Sequence, residues 1–309
     1  MEKEPLVSIV VITYNQSKYI LETLESTKSQ MYQNIELIIS DDFSTDNTVE
    51  VCVDWLKENS GRFLNVKLIV SPRNTGIAAN CNRGINASAG KYIKMLAGDD
   101  SLPPESILEY VKFVISTGCE ICCSKLKMFG EDKDLIKKNE IEYNRLYRGI
   151  EKDLAYQKKM NARQLFVPGA GLFYSRDLFN VVGGYDERYP FVEEWPFSTK
   201  VLNSGNKIYL LDKYLYNYRV YLGSLCRSEL VVDKRVALDM KKFFYDECLF
   251  VLIKNIDILY MWHLILVYWY YTLVHFAKYG SFLFKCAKLI LLFSPIACIN
   301  HVKRRILHM

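Results

Sequence analysis

Leu6-Val7-Ser8-Ile9-Val10-Val11-Ile12-Thr13-Tyr14-Asn15 decides the fold. Apart from Ser8, residues 6–12 are all Leu, Val or Ile. A near-continuous β-branched run of this length reads as a strand buried on both faces, the kind that parallel sheets use. Tyr14-Asn15-Gln16 ends it, and Ile20, Leu21 and Leu24 then gather on one side of a helix. Ile35–Ser40 is a second apolar strand running into Asp41-Asp42, and Thr45–Lys57 follows as a helix with Val49, Val53 and Leu56 on one face. Val66–Val70 reads as a third strand, Ala78–Ala87 as a helix, and Tyr92–Ala97 as a fourth strand ending at Gly98-Asp99-Asp100. Strand and helix in alternation predict an α/β fold: a mostly parallel, Rossmann-like sheet flanked by helices.

The polar residues follow the same order. Thr13-Tyr14-Asn15, Asp41-Asp42, Arg73-Asn74 and Asp99-Asp100 all come just after the C-terminal ends of strands, the edge along which open α/β sheets bind ligands. Further on, Ser106–Ser116 is predicted helical and Ile121–Met128 extended. Residues 130–165 are charge-rich with weak periodicity, and read as a solvated insertion or the wall of an acceptor site. Apolar character returns at Phe166–Tyr174; a turn-rich piece, Gly183-Gly184-Tyr185-Asp186-Glu187, leads to Val192-Glu193-Glu194-Trp195. A helix to Leu202 and a short strand over Lys207–Leu210 follow, and from about residue 228 the sequence reads helical to its end.

Forty basic against 35 acidic side chains give a net charge of +5, too even a mixture to argue for nucleic acid. The nine cysteines are odd in number and mostly sit among apolar residues, so they read as reduced and structural. Cys119-x-x-Cys122-Cys123 has no second pair at zinc-site spacing. Residues 1–7 lack the basic and apolar regions of a signal peptide, which predicts a chain that starts in the cytosol.

There is no Gly-x-Gly-x-x-Gly after the first strand and no Walker-type loop, so the glycine-rich routes to a pyrophosphate are absent. A divalent cation held by carboxylates is the obvious substitute, and Asp99-Asp100 suits Mn²⁺ or Mg²⁺, which favour hard oxygen ligands. An acidic turn or helix cap before Pro103-Pro104 reads equally well on chemistry alone. One carboxylate of Asp41-Asp42 could accept the imide N–H of uracil, or cap the helix that begins near Ser44. Glu193-Glu194, among Phe191, Trp195 and Phe197, is a candidate for taking a proton from a hydroxyl, with desolvation raising its pKa; a surface acidic pair opening a helix is the plainer alternative.

At this point residues 6–225 resemble the inverting glycosyltransferases of family 2, which have the GT-A fold and build bacterial polysaccharides and lipopolysaccharides. The resemblance rests on ordered pieces: Val7–Asn15, Ile38–Asp46, Asn74-Thr75-Gly76, Asn82-Arg83-Gly84, Gly90-Lys91-Tyr92-Ile93, Ala97-Gly98-Asp99-Asp100, Gly183–Glu187 with Glu193-Glu194-Trp195, and Tyr218-Arg219 followed by Ser224. It implies that Thr13 and Tyr14 line a nucleotide pocket, that Asp41 faces the base and that Arg73 reaches the nucleotide. Asp99 would contact ribose or sugar, Asp100 would bind Mn²⁺ or Mg²⁺, and Glu194 would be the catalytic base of a single inverting displacement. Departures from the family pattern are Ala97 where many members carry Asp, Cys81 where many carry Arg, and Glu193-Glu194 where Glu-Asp is common. On this reading residues 1–227 form the catalytic domain, with a nucleotide-sugar half (1–120) and an acceptor and catalytic half (121–227), and residues 228–309 form a helical extension.

Ile256–Ala277 carries Trp262, Trp269 and four tyrosines, with Asp257 its one formal charge, and from Lys278 onward there are six Lys or Arg and no Asp or Glu. A cationic, aromatic-rich tail predicts attachment at the inner face of the cell membrane, peripheral or monotopic, with membrane spans and packing against protein as alternatives. The expected partners are then a nucleotide-sugar donor, by default a UDP-sugar, and a lipid-linked glycan acceptor; a homo-oligomer stays open. Two rival functions remain on sequence grounds. One is a catalytically impaired sugar-nucleotide-binding or scaffold protein, which Ala97 and Cys81 keep in view. The other is a nucleotidyltransferase, for which Ser8–Asn15 offers none of the expected basic residues.

Overall fold

The computed structural model describes residues 4–221, 234–254 and 258–276. Two compact units emerge, one of Met1–Asn161 with Leu165–Ser224 and one of Ala162–Gln164 with Leu225–Met309.

The first unit is built on a seven-stranded sheet in the order β3-β2-β1-β4-β6-β5-β7. Its strands are β1 (Val7–Thr13), β2 (Ile35–Asp41), β3 (Asn65–Val70), β4 (Tyr92–Ala97), β5 (Ile121–Gly130), β6 (Leu172–Ser175) and β7 (Tyr209–Val220). The first four pair in parallel, with Thr13 opposite Asp41 and Ile12 opposite Ala97. β6 runs antiparallel to both β4 and β5, and β7 returns parallel to β5 with a register shift at Ser124–Leu126.

The strand period of two divides the core into two layers. Val7, Ile9 and Val11 of β1 pack on one face with α1 (Ile20–Lys28), α2 (Thr48–Asn59) and α4 (Ser106–Thr117). Val10 packs on the other face with Ala78, Cys81 and Ile85 of α3 (Ile77–Asn86), with Leu178 and Phe179 of α7 (Arg176–Val182), and with Phe197 and Val201 of α8 (Glu194–Asn203). Gly84 belongs in α3 because a Cβ there would lie 2.5 Å from the Val10 side chain, so the helix can approach the sheet only without one. The described cysteines 52, 81, 119, 122, 123 and 248 are buried free thiols.

One strand is longer than expected, and two further regions take definite form. Residues 130–165 are largely helical, as α5 (Lys133–Ile150) and α6 (Leu154–Arg163). Only the end of α5 enters the core, through Tyr147 and Ile150, while most of its length faces water. The strand expected over Lys207–Leu210 is instead β7, twelve residues long. The apolar run Phe166–Tyr174 contributes only Leu172–Ser175 as strand, preceded by a tight turn at Gly169–Gly171.

The second unit contains α9 (Lys234–Phe243), a π-turn at Phe244–Cys248, α10 (Leu249–Lys254) and α11 (Ile258–Phe276). Val236, Ala237, Phe243, Phe244, Cys248, Leu252 and Leu264 are buried, whereas Phe250, Ile253, Ile258, Leu259, Trp262 and Trp269 are exposed. Among the described residues no helix is long and apolar enough to cross a membrane. The basic stretch from Lys278 onward lies outside the described residues.

Candidate active site

Parallel pairing of β1, β2 and β4 carries Thr13, Asp41 and Asp99-Asp100 to one edge of the sheet. Two loops there are tied together. Asn15 accepts from the Thr45 amide at 2.8 Å and donates its own amide to Ser44 Oγ at 2.8 Å. Asn15 and Phe43 hold left-handed backbone, at φ 52° and 72°. Such conformations are strained for residues with a Cβ and cluster at functional loops. Thr13 is buried, and its Oγ1 makes no hydrogen bond among the described residues. Gly98 packs so closely that a Cβ would lie 2.9 Å from that oxygen. An orphaned hydroxyl at a strand end can hydrogen-bond a ligand.

The two adjacent acids after β2 do different work. Asp41 accepts from the Ser44 amide at 2.8 Å and from its hydroxyl, shaping the loop. Asp42 accepts from the amides of Thr75 at 2.9 Å and Gly76 at 2.8 Å, from the Thr75 hydroxyl at 2.6 Å and from Arg83 at 3.3 Å. It thereby latches the segment that follows β3 onto β2. Arg73 lies on that segment with its side chain exposed, and Tyr14 is exposed beside the first loop.

Asp99 and Asp100 sit deeper. Asp100 Oδ2 accepts from the Tyr216 hydroxyl and Oδ1 from the Arg219 amide, both at 2.7 Å. Asp99 Oδ2 accepts from the Tyr221 hydroxyl at 3.0 Å and from Gln16 at 3.4 Å, while Arg219 Nε donates to the Asp99 carbonyl at 2.7 Å. Burial pushes both carboxyls above the usual range, and for Asp100 the neighbouring Asp99 charge pushes further. Among the described residues no group of three or more His, Cys, Asp or Glu converges on one point. Two hard carboxylates that repel each other in a buried setting fit a divalent cation whose remaining ligands come from a bound phosphate.

Glu194 opens α8 beneath the turn Pro168–Gly171. The amides of Gly169 and Ala170 hydrogen-bond its carboxylate. Gly169 lies directly against that carboxylate: a Cβ there would fall 2.3 Å from Glu194 Oε1 in its present rotamer. Burial raises the Glu194 carboxyl to about 7, against the pull of the Gly169 amide, Lys94 and the Ala170 amide. Glu193 is raised to about 8, by burial first and by the Glu194 charge second. The segment leading to them is anchored to α3 by the Ala78 amide on the Pro190 carbonyl at 3.2 Å and by Asn82 on the Tyr185 carbonyl at 3.0 Å. A half-buried carboxylate with an affinity for protons near neutrality can accept one from a weakly acidic hydroxyl.

Sequence reasoning missed three side chains that shape this region, Lys94, Tyr216 and Tyr221, and named Arg219 only as part of a motif, with no role. The alternation of Tyr214, Tyr216 and Tyr218 is the strand signal that would have extended β7 and brought Tyr216 to the site.

Over residues 8–183 the chain matches Glycosyl transferase family 2, and it belongs to that family. The glycosyltransferase GlyA of Streptococcus pneumoniae serotype 4 is 25% identical over 229 residues, which are 72% of this chain and 31% of GlyA. Among solved structures, TarS of S. aureus in complex with UDP superposes with a TM-score of 0.54 at 21% identity, over 78% of this chain and 72% of that one. The mannosyltransferase PcManGT of Pyrobaculum calidifontis, solved with GDP-Man and Mn²⁺, gives 0.59 at 18% identity, over 79% of this chain and 66% of that one. The fold is GT-A with a helical C-terminal region.

Proposed function

We propose that this glycosyltransferase transfers a sugar from a UDP-sugar to a hydroxyl of a lipid-linked glycan, with inversion at the anomeric carbon. The observation that carries this reading is Glu194, a carboxylate raised to about 7 in a fold whose sheet edge also gathers Thr13, Asp41, Asp99 and Asp100. One end of such a site can hold a nucleotide diphosphate and the other can take a proton.

Thr13 and Tyr14 line the nucleotide pocket, with Asp41 facing the base and Arg73 reaching in from the rim. TarS, solved with UDP, supports a uridine donor. Asp99 contacts the ribose or sugar. Asp100 would hold Mn²⁺ or Mg²⁺, which when bound offsets the charge of the diphosphate oxygens. Glu194 accepts the proton of the acceptor hydroxyl as that oxygen bonds to the anomeric carbon. The bond from the anomeric carbon to the diphosphate breaks in the same displacement, and the nucleoside diphosphate leaves. A thermal-shift screen of UDP-, GDP- and dTDP-sugars with MnCl₂ tests the donor. Stabilisation by UDP-sugars alone is expected; preference for GDP- or dTDP-sugars would remove the uridine assignment.

The second unit brings the enzyme to the inner face of the cell membrane. Exposed Ile258, Leu259, Trp262 and Trp269 on α11 offer apolar and interfacial side chains, and the sequence from Lys278 onward adds positive charge without acids. Co-flotation with vesicles containing anionic lipid is expected, weakened by salt and absent with neutral vesicles. A protein that stays at the bottom of the gradient with both would end the membrane assignment.

A further inference from the structure

Lys94 stands in the middle of β4, between Ile9 of β1 and Phe173 of β6, with no exposed surface. Burying an ammonium costs several kcal/mol, and an apolar side chain of similar volume would ordinarily serve a core strand better. Its contacts give it a purpose. Nζ donates to the carbonyls of Ala170 at 2.5 Å and Leu172 at 3.0 Å, and to the Tyr110 hydroxyl at 3.4 Å. It also lies over the rings of Tyr216, at 4.7 Å, and Tyr110, at 5.0 Å. Tyr110 donates in turn to the Gly171 carbonyl at 3.0 Å. The turn Pro168–Leu172 is thus gripped from one side through its carbonyls, while from the other its Gly169 and Ala170 amides hold the Glu194 carboxylate. Ala170 gives its carbonyl to Lys94 and its amide to Glu194.

We propose that Lys94 is a positioning residue for Glu194: its buried ammonium fixes the carbonyls of Ala170 and Leu172 so that the Gly169 and Ala170 amides stay aimed at that carboxylate. The proposal rests on Glu194 being the base. Electrostatics agrees in sign, since the Lys94 charge favours ionised Glu194 and the Glu194 charge favours protonated Lys94. Burial brings Lys94 down to about 7, with Cys123, Cys122, Asp100 and Glu194 opposing that shift. Besides Lys94, the titratable groups among the described residues that act on or feel Glu194 are Glu193 just before α8, Cys81 of α3 and Cys123 of β5.

The test is a double-substitution cycle of wild type, Lys94→Met, Glu194→Gln and the pair, read by urea denaturation between pH 4 and 9. Subtracting the Glu194→Gln curve isolates the part of the pH dependence that belongs to Glu194. In wild type that part falls from about pH 4.5 and levels off near 7, where folded Glu194 has ionised. Lys94→Met is expected to move the levelling point up by about one pH unit, because the cation and the aimed amides are both lost. An unmoved levelling point, even with lower stability throughout, would reduce Lys94 to a packing role and overturn the proposal. If Lys94→Met does not fold, Lys94→Gln keeps a donor for the carbonyls and loses the charge, so a smaller upward move of the levelling point is expected, and an unmoved point would again overturn the proposal.

Turnover supplies a second reading, with release of UDP from UDP-GlcNAc in MnCl₂ as the probe. Lys94→Met should lower kcat by about tenfold or more, leave KM within about twofold, and cost nothing further in the Glu194→Gln background. Multiplicative losses in the pair would count against the coupling. If Glu194→Gln alone leaves turnover unchanged, it is the base assignment that fails, and the pH cycle still decides whether Lys94 positions Glu194.

Discussion

Asp100→Asn is expected to lower sugar transfer by roughly 10²–10³-fold while the protein stays folded. The substitution removes one negative charge and little else. Asp100 receives the Tyr216 hydroxyl on one oxygen and the Arg219 amide on the other. The asparagine carbonyl can keep the Arg219 amide, and the Tyr216 hydroxyl can rotate to accept from the new amide group. Loss of the charge also relieves repulsion from Asp99, which burial intensifies. Stability should therefore stay level or rise slightly, as a thermal melt would report. Under the proposed mechanism transfer should fall, because among the described residues no third His, Cys, Asp or Glu joins Asp99 and Asp100 to hold a cation against a departing diphosphate. Near-normal turnover of this variant at saturating Mn²⁺ would take Asp100 out of the metal site.

Much of this arrangement was legible in the chain. A parallel sheet reads strongly because strands buried on both faces need near-continuous apolar runs, and Leu6–Thr13, Ile35–Ser40 and Tyr92–Ala97 supply them, interrupted within only by Ser8, Glu36 and Lys94. The rim residues followed, since the polar pairs Asp41-Asp42 and Asp99-Asp100 come where these runs stop. What escaped notice has physical reasons as well. β7 lies at the edge of the sheet, with Asp212, Lys213 and Tyr214 exposed in succession and Asn217 half-buried, so its apolar signal is diluted. Lys94 gave no sign of its burial, because a lone lysine in a strand usually marks an exposed face. The separate tasks of Asp41 and Asp42 were equally hidden. Neighbours in a chain end a strand pointing to opposite sides, and only the position of Thr75-Gly76 reveals that Asp42 is the latch.

Glu194→Gln should separate activity from stability in opposite directions. Turnover is expected to fall by roughly 10²-fold or more with donor affinity retained, because glutamine can still accept from the Gly169 and Ala170 amides but cannot take a proton. On the proposed assignment of Glu194 as the base, it must be ionised in wild type, so kcat/KM should rise with pH through about 7. Stability runs the other way. The folded carboxyl, raised to about 7, binds its proton more tightly than an unfolded one near 4.5. Between those values the folded state holds more protons than the unfolded, and stability falls as pH rises. At pH 8 wild type carries this whole penalty and Glu194→Gln carries none, so the variant should be more stable there by roughly 1–3 kcal/mol. At pH 4 the two should be nearly equal. Denaturation at both pH values, beside rate measurements on the same samples, checks both halves. A variant that is less stable than wild type at pH 8 would mean that ionised Glu194 is well solvated or well paired, and the case for it as a poised base would go with that result.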